Sequence, residues 1–206
     1  MTRARILLGA LLLSLVAAGC ASTGSAPGPA ENPRPETNVN VDTAALRAQK
    51  QAAGVQTCPQ PTGSAPARDA MPALRLPCLG GGPAVNLSRL HGPMVINLFA
   101  QWCGPCRQEM PLLDSIYKQY HRMGFTLIGV NVEPDSNAAN QWLKDTPVSF
   151  PILYDKESKV SRMYDVAGMP STVIIDRTGK VRALHRGYKP GDENGYLDSI
   201  RKLVRE

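Results

Sequence analysis

The stretch that most constrains the fold is residues 94–106, MVINLFAQWCGPC. Apart from Asn97, its first seven residues form an apolar run with β-branched members, the pattern of a strand buried on both faces. Beyond Cys106, the residues Leu113, Ile116, Tyr117 and Tyr120 recur at helical spacing. Cys103 and Cys106 therefore fall where a buried strand hands over to a helix. Free backbone N–H groups and the dipole at a helix start favour an anion. Cys103, at that terminus, is the candidate for a thiolate of lowered pKa and so for the attacking sulfur. Cys106 lies in the first turn, close enough to close a disulfide with Cys103 while shielded from outside thiols. Exchange chemistry needs such a pair, because a mixed disulfide is released by a resolving thiol held nearby. A purely structural bridge is the competing use, though two-residue loops are strained and rarely serve as staples. A zinc site would need two more ligands at suitable spacing. Cys58 and Cys78, with nineteen residues between them, form no second C-x-x-C.

The chain after Gly92 alternates strands and helices. Residues 125–132 (FTLIGVNV) read as a second buried strand and residues 137–144 as a helix carrying Trp142. A third strand is expected at residues 150–154, then a short helix around 158–164. Residues 172–176 and 181–186 flank Arg177-Thr178-Gly179-Lys180, the pattern of a β-hairpin. Leu197, Ile200, Leu203 and Val204 mark the apolar face of a closing helix. The fold class is α/β, with a central mixed β-sheet flanked by helices on both faces. A length of 206 residues allows one such domain plus flanking segments.

The flanking segments lie at the N-terminus. Residues 1–5 are a short basic region and residues 6–18 an apolar stretch, too short to span a bilayer but of signal-peptide length. The stretch ends in Val16-Ala17-Ala18-Gly19-Cys20, which resembles the lipobox of bacterial lipoproteins. That resemblance implies a signal peptide over 1–19 and lipidation of Cys20; ordinary cleavage near Ala18 or Gly19 is the alternative. Residues 20–57 then read as a lipid-anchored flexible tether, because the stretch after Cys20 is rich in Ala, Ser, Gly and Pro. Within it, residues 41–53 hold enough alanine for a short helix. The net charge of +6 is scattered, which argues against a nucleic-acid partner. No other segment reaches transmembrane length.

Cys58 and Cys78 enclose a loop rich in Pro, Gly and Ala just before the strand–helix pattern begins. In an oxidising compartment such a pair reads as a structural disulfide, pinning an N-terminal extension with a small hairpin near residues 84–87. A second redox pair exchanging with Cys103–Cys106 is the sharper alternative. The expected domain then runs over 58–206.

Several of these motifs together resemble the thioredoxin fold over residues 83–204. They are VINLFAQ before Trp102-Cys103-Gly104-Pro105-Cys106, Pro111 five residues beyond, and Gly168-Met169-Pro170-Ser171-Thr172. Within that superfamily the chain is most similar to the extracytoplasmic TlpA/ResA-like thiol–disulfide oxidoreductases. Supporting features are the lipoprotein-type N-terminus, the insertion that begins at residues 125–134 (FTLIGVNVEP), and Glu109, which matches that group's active-site glutamate. The resemblance implies that Met169 and Pro170 form a cis-proline loop facing the disulfide and docking substrate backbone. Trp102 is expected over the disulfide at the partner contact, and Gly104 and Pro105 tune thiolate stability. Asn97 stands where cytoplasmic thioredoxins carry a buried aspartate, and an amide cannot take a proton. Glu109, one turn beyond Cys106, is thus the candidate acid–base group, against the bland reading of a solvated helix carboxylate.

The resemblance further implies an enzyme without cofactor or metal, acting on protein thiols and disulfides at the outer face of a bacterial cell membrane; secretion is the alternative location. A reductant's role in cytochrome c maturation follows from the ResA-like likeness. Apocytochrome c would then be the substrate and a membrane thiol transporter of the CcdA type the electron donor. The alternatives are an oxidase or isomerase of secreted proteins, or a copper-binding chaperone using the cysteine pair.

Overall fold

A computed structural model describes residues 40–61, 66–132, 141–142, 145–146, 148–166, 168–191 and 193–205. The described residues all fall within one compact unit, Asn38–Glu206. The signal segment, Cys20 and the first part of the expected tether lie outside the described residues.

The apolar runs form a five-stranded sheet in the order β5-β4-β3-β6-β7. Its strands are β3 (Met94–Phe99), β4 (Thr126–Asn131), β5 (Ile152–Tyr154), β6 (Ser171–Ile175) and β7 (Val181–Arg186). β3, β4 and β5 run parallel, whereas β6 pairs antiparallel with both β3 and β7. Every residue of β3 and β6 is buried, including the polar Asn97, Ser171 and Thr172, while β7 at the edge is partly exposed. Gly129 in β4 is needed for close approach. A Cβ there would meet Phe99 Cε1 at 2.9 Å and Phe150 Cε2 at 3.2 Å.

Helices α1 (Ala44–Ala52), α2 (Gly104–Tyr120), α3 (Lys159–Met163) and α4 (Glu193–Arg205) surround the sheet. α2 starts at Gly104 and runs through Pro111. Met110, Leu113 and Ile116 give it a buried stripe at helical spacing. Asp114, on the same helix, accepts 2.6 Å bonds from the Ser149 N–H and hydroxyl and an ion pair from Lys118. Those partners hold its carboxyl below the ordinary range in spite of burial. α4 buries Ile200, Leu203 and Val204, three of the four residues expected on its apolar face, and Leu197 is partly buried. Of the helix expected over 137–144, residues 141–142 are described; they are helical, and Trp142 is buried with its ring 4.7 Å from that of Phe99.

The tether expectation needs correction. Residues 41–57 are packed rather than loose: Val41, Leu46 and Val55 are buried, and the Gln56 N–H donates to the Ser149 carbonyl. Thr43 caps α1 by accepting from the Leu46 N–H at 3.2 Å. Among the described residues, packing is therefore already present at Val41, ahead of Cys58. Composition misled because alanine and glutamine dilute three apolar side chains that the domain surface buries. The hairpin near residues 84–87 is present as β2 (Val85–Asn86), and its partner is β1 (Arg75–Leu76).

Candidate active site

Cys103 and Cys106 are joined in a disulfide, with their Cα atoms 5.3 Å apart. Cys103 is the N-cap of α2, and its Sγ accepts from the Cys106 N–H at 3.1 Å. An orphan donor of the helix start thus points at the sulfur, the arrangement that stabilises a thiolate there on reduction. Pro105 occupies the first turn, where its missing N–H costs nothing. Cys103 is 3% exposed and Cys106 fully buried, so any partner reaches Cys103 first. Trp102 beside them is 70% exposed and turns a large apolar ring to solvent. That suits contact with another molecule better than a lid packed on the bridge.

Below the disulfide lies a buried polar group of three side chains. Glu109 is three residues beyond Cys106, so the two lie on one helix face with Cβ atoms roughly 5–6 Å apart. It is 2% exposed, which removes the solvated-carboxylate reading. Burial raises its pKa to about 7, opposed by a hydrogen bond from Asn97. Asn97 Nδ2 donates to Glu109 Oε2 at 2.8 Å and to Thr172 Oγ1 at 2.9 Å. The sheet brings these groups together, because Asn97 on β3 lies directly opposite Thr172 on β6. Asn97 Oδ1 is buried without a hydrogen-bond partner among the described residues. A carboxyl group that titrates near neutrality one turn from the inner cysteine can accept or return that cysteine's proton.

The Met169–Pro170 peptide is cis, as the family resemblance implied, and so is Gly92–Pro93, which the sequence reading did not foresee. Pro170 is buried, with its carbonyl accepting from the Gly187 N–H at 2.8 Å, and Met169 is partly exposed. Pro170 is two residues from Thr172, so one strand entry carries both the loop and the partner of Asn97. Gly104 meets nothing that a side chain would strike.

Cys58 and Cys78 form the second disulfide, with Cα atoms 6.0 Å apart. Cys78 bridges Leu153, extending the sheet beyond β5. Thr172 and Lys50 are the two polar residues that sequence reasoning missed. Thr172 lay within a quoted motif but acquires its partner only through strand register. Lys50 belongs to no motif in the sequence, and only the packing of α1 brings it to Cys78.

Comparison with known proteins agrees with this geometry. The family model described as Redoxin matches residues 66–200. Thiol-disulfide oxidoreductase ResA of Oceanobacillus iheyensis is 30% identical over 118 residues, covering 56% of this chain and 62% of that protein. The protein of that name in Bacillus cereus is 31% identical over 121 residues, 58% of this chain and 70% of that one. The chain thus spans less than two thirds of the first of these relatives. A Chlorobium tepidum crystal structure assigned as thiol:disulfide interchange protein DsbE superposes with a TM-score of 0.62 at 31% identity. That match covers 69% of this chain and 99% of the other. The likeness makes the sheet and its helices a thioredoxin-like fold. Among the described residues no helix is long and apolar enough to cross a membrane.

Proposed function

The chain belongs to the Redoxin family, and we propose that it is a thiol–disulfide oxidoreductase working through Cys103 and Cys106. One observation carries the reading: the disulfide caps α2 directly above a buried glutamate with a pKa of about 7. In the reducing direction, the Cys103 thiolate attacks a substrate disulfide, and one substrate sulfur leaves as a thiolate. Cys106 gives its proton to the Glu109 carboxylate and attacks Cys103 Sγ. The second substrate sulfur departs, taking up a proton, and the Cys103–Cys106 disulfide remains. Two electrons have passed to the substrate, and Glu109 returns its proton to solvent. Trp102 and the Met169–Pro170 loop hold the substrate chain during the mixed-disulfide stage.

The ResA-like relatives support reduction as the physiological direction, with the oxidised C-x-x-C-H haem site of apocytochrome c as substrate. The protein then works at the outer face of the cell membrane, anchored by lipid on Cys20. It draws electrons from a membrane thiol transporter of the CcdA type. The test is the reduction potential of Cys103–Cys106 together with the cytochrome content of cells carrying Cys103→Ser. A potential well below that of strong oxidants, and loss of c-type cytochromes, are expected. A potential near the roughly −120 mV of a strongly oxidising pair would overturn the direction. Normal cytochromes in the variant would overturn the substrate.

A further inference from the structure

The second disulfide is contacted by a charge. Lys50 on α1 is only 6% exposed, and its Nζ lies 3.2 Å from Cys78 Sγ while donating to the Gly81 carbonyl at 3.1 Å. Lysine is almost never buried without a partner, and a disulfide sulfur is a weak acceptor. The turn is shaped around the lysine stem. Gly80, at φ +74°, lacks a Cβ that would come 2.9 Å from both Cβ and Cδ of Lys50. Asp42 is the carboxylate acting on Lys50, but it is already engaged by Arg47 in a 2.6 Å ion pair. Burial draws the Lys50 pKa below its usual value, with Asp42 opposing. Among the described residues, the ammonium has no close anionic partner of the kind a buried cation favours.

The two sulfurs differ in surroundings. Cys58 is 5% exposed against 2% for Cys78, the same outer-to-inner order as the 3% and 0% of Cys103 and Cys106. Cys58 Sγ lies 3.6 Å from the Ile152 carbonyl oxygen, closer than the 4.0 Å between Cys78 Sγ and the Leu79 carbonyl, and that partial negative charge disfavours a thiolate on Cys58. Lys50 favours one on Cys78, and a thiol of lower pKa leaves faster.

We propose that Cys58–Cys78 is a second, polarised thiol–disulfide site, opened by an external dithiol that attacks Cys58 and expels Cys78 as a thiolate paired with Lys50. The incoming thiolate forms a mixed disulfide with Cys58 as the Cys58–Cys78 bond breaks. Its second thiol then attacks that mixed disulfide and frees Cys58. Two electrons pass to the pair, and the dithiol becomes a disulfide. One of its protons ends on Cys58 and the other is released to solvent. The partner is external because Cys78 lies outside β5, three strand spacings from β3. That is about 14 Å across the sheet, too far for a bond to the pair that follows β3. This inference does not depend on the direction or substrate of Cys103–Cys106.

The test uses the full chain carrying Cys20→Ser, Cys103→Ser and Cys106→Ser, so that this disulfide alone remains, with dithiothreitol as the dithiol at pH 7 and no denaturant. The pair is expected to reduce while the circular dichroism stays native. With Cys58→Ser added, thiolate absorbance should place the Cys78 pKa below the ordinary value of about 8.5. Lys50→Met should lower the thiolate fraction at pH 7 at least tenfold and slow reduction to a similar extent, and Lys50→Arg should restore both. Resistance to dithiothreitol until unfolding would overturn the proposal, as would a reduction rate indifferent to Lys50→Met. Should Lys50→Met fail to fold, the Cys58→Ser chain with Lys50 intact still decides. A Cys78 pKa at or above about 8.5 rejects the proposal.

Discussion

Glu109 shows how the burial of one side chain couples its ionisation to stability. Its pKa in the folded protein is about 7, against an ordinary value of 4.5, because burial penalises the carboxylate. Between those two values the folded state holds more protons than the unfolded one. Stability therefore falls as pH rises through that window and levels off above it. The displacement corresponds to on the order of 3 kcal/mol. Glu109→Gln keeps an oxygen for Asn97 but carries no charge. It should be more stable than the parent at pH 8, with the advantage vanishing near pH 4. Guanidinium unfolding at the two pH values checks this, and an equal difference at both would contradict it. The same substitution should slow disulfide exchange at least tenfold and remove the inflection near pH 7 from its rate profile. The residue's identity was legible in the sequence because it follows Cys106 at helical spacing. Its burial was not, since a carboxylate on an amphipathic helix is usually solvated. Asn97 bonds both Glu109 and Thr172, and it meets Thr172 because β3 and β6 pair in the register observed.

Elements were legible in proportion to their hydrophobic continuity. β3, β4 and β6 are mostly apolar, and α2 and α4 carry buried stripes, so each could be placed to within a few residues. α1 was the hardest, because its segment holds little apolar surface and depends on the rest of the domain for burial. Leu46 is its anchor at 2% exposure. Leu46→Ala should cost about 2–4 kcal/mol of unfolding free energy. It should also speed hydrogen exchange within α1 while the amides of β3 stay protected. Exchange that rose equally in β3 would mean that α1 is not a separable element. The lysine one helical turn beyond Leu46 is the one that reaches Cys78, so the same packing that orders α1 delivers a charge to the second disulfide.

At the scale of the whole molecule, the N-terminal extension covers what would otherwise be an open sheet edge. The Leu79 N–H donates to the Ile152 carbonyl and the Tyr154 N–H to the Pro77 carbonyl, so β5 is paired on its outer side. A chain beginning at Cys58 loses Val41, Leu46 and Val55 from the core, whereas one beginning at Asn38 keeps them. The shorter chain should unfold at clearly lower denaturant than the longer one, with a smaller m-value because it buries less surface. Equal midpoints would show that residues 38–57 contribute nothing to the fold.

The sequence by itself determined the α/β class, the order of strands and helices, and where the proposed seat of chemistry lies. Those depend on hydrophobic period and on two cysteines at a strand–helix junction, all of them local signals. Tertiary structure decided where the domain begins, which polar groups sit beneath the disulfide, and that a lysine touches Cys78. Each of these depends on which surfaces meet. Burial, and the pKa changes and pairings that follow from it, is a property of the neighbours that folding supplies rather than of the residue alone.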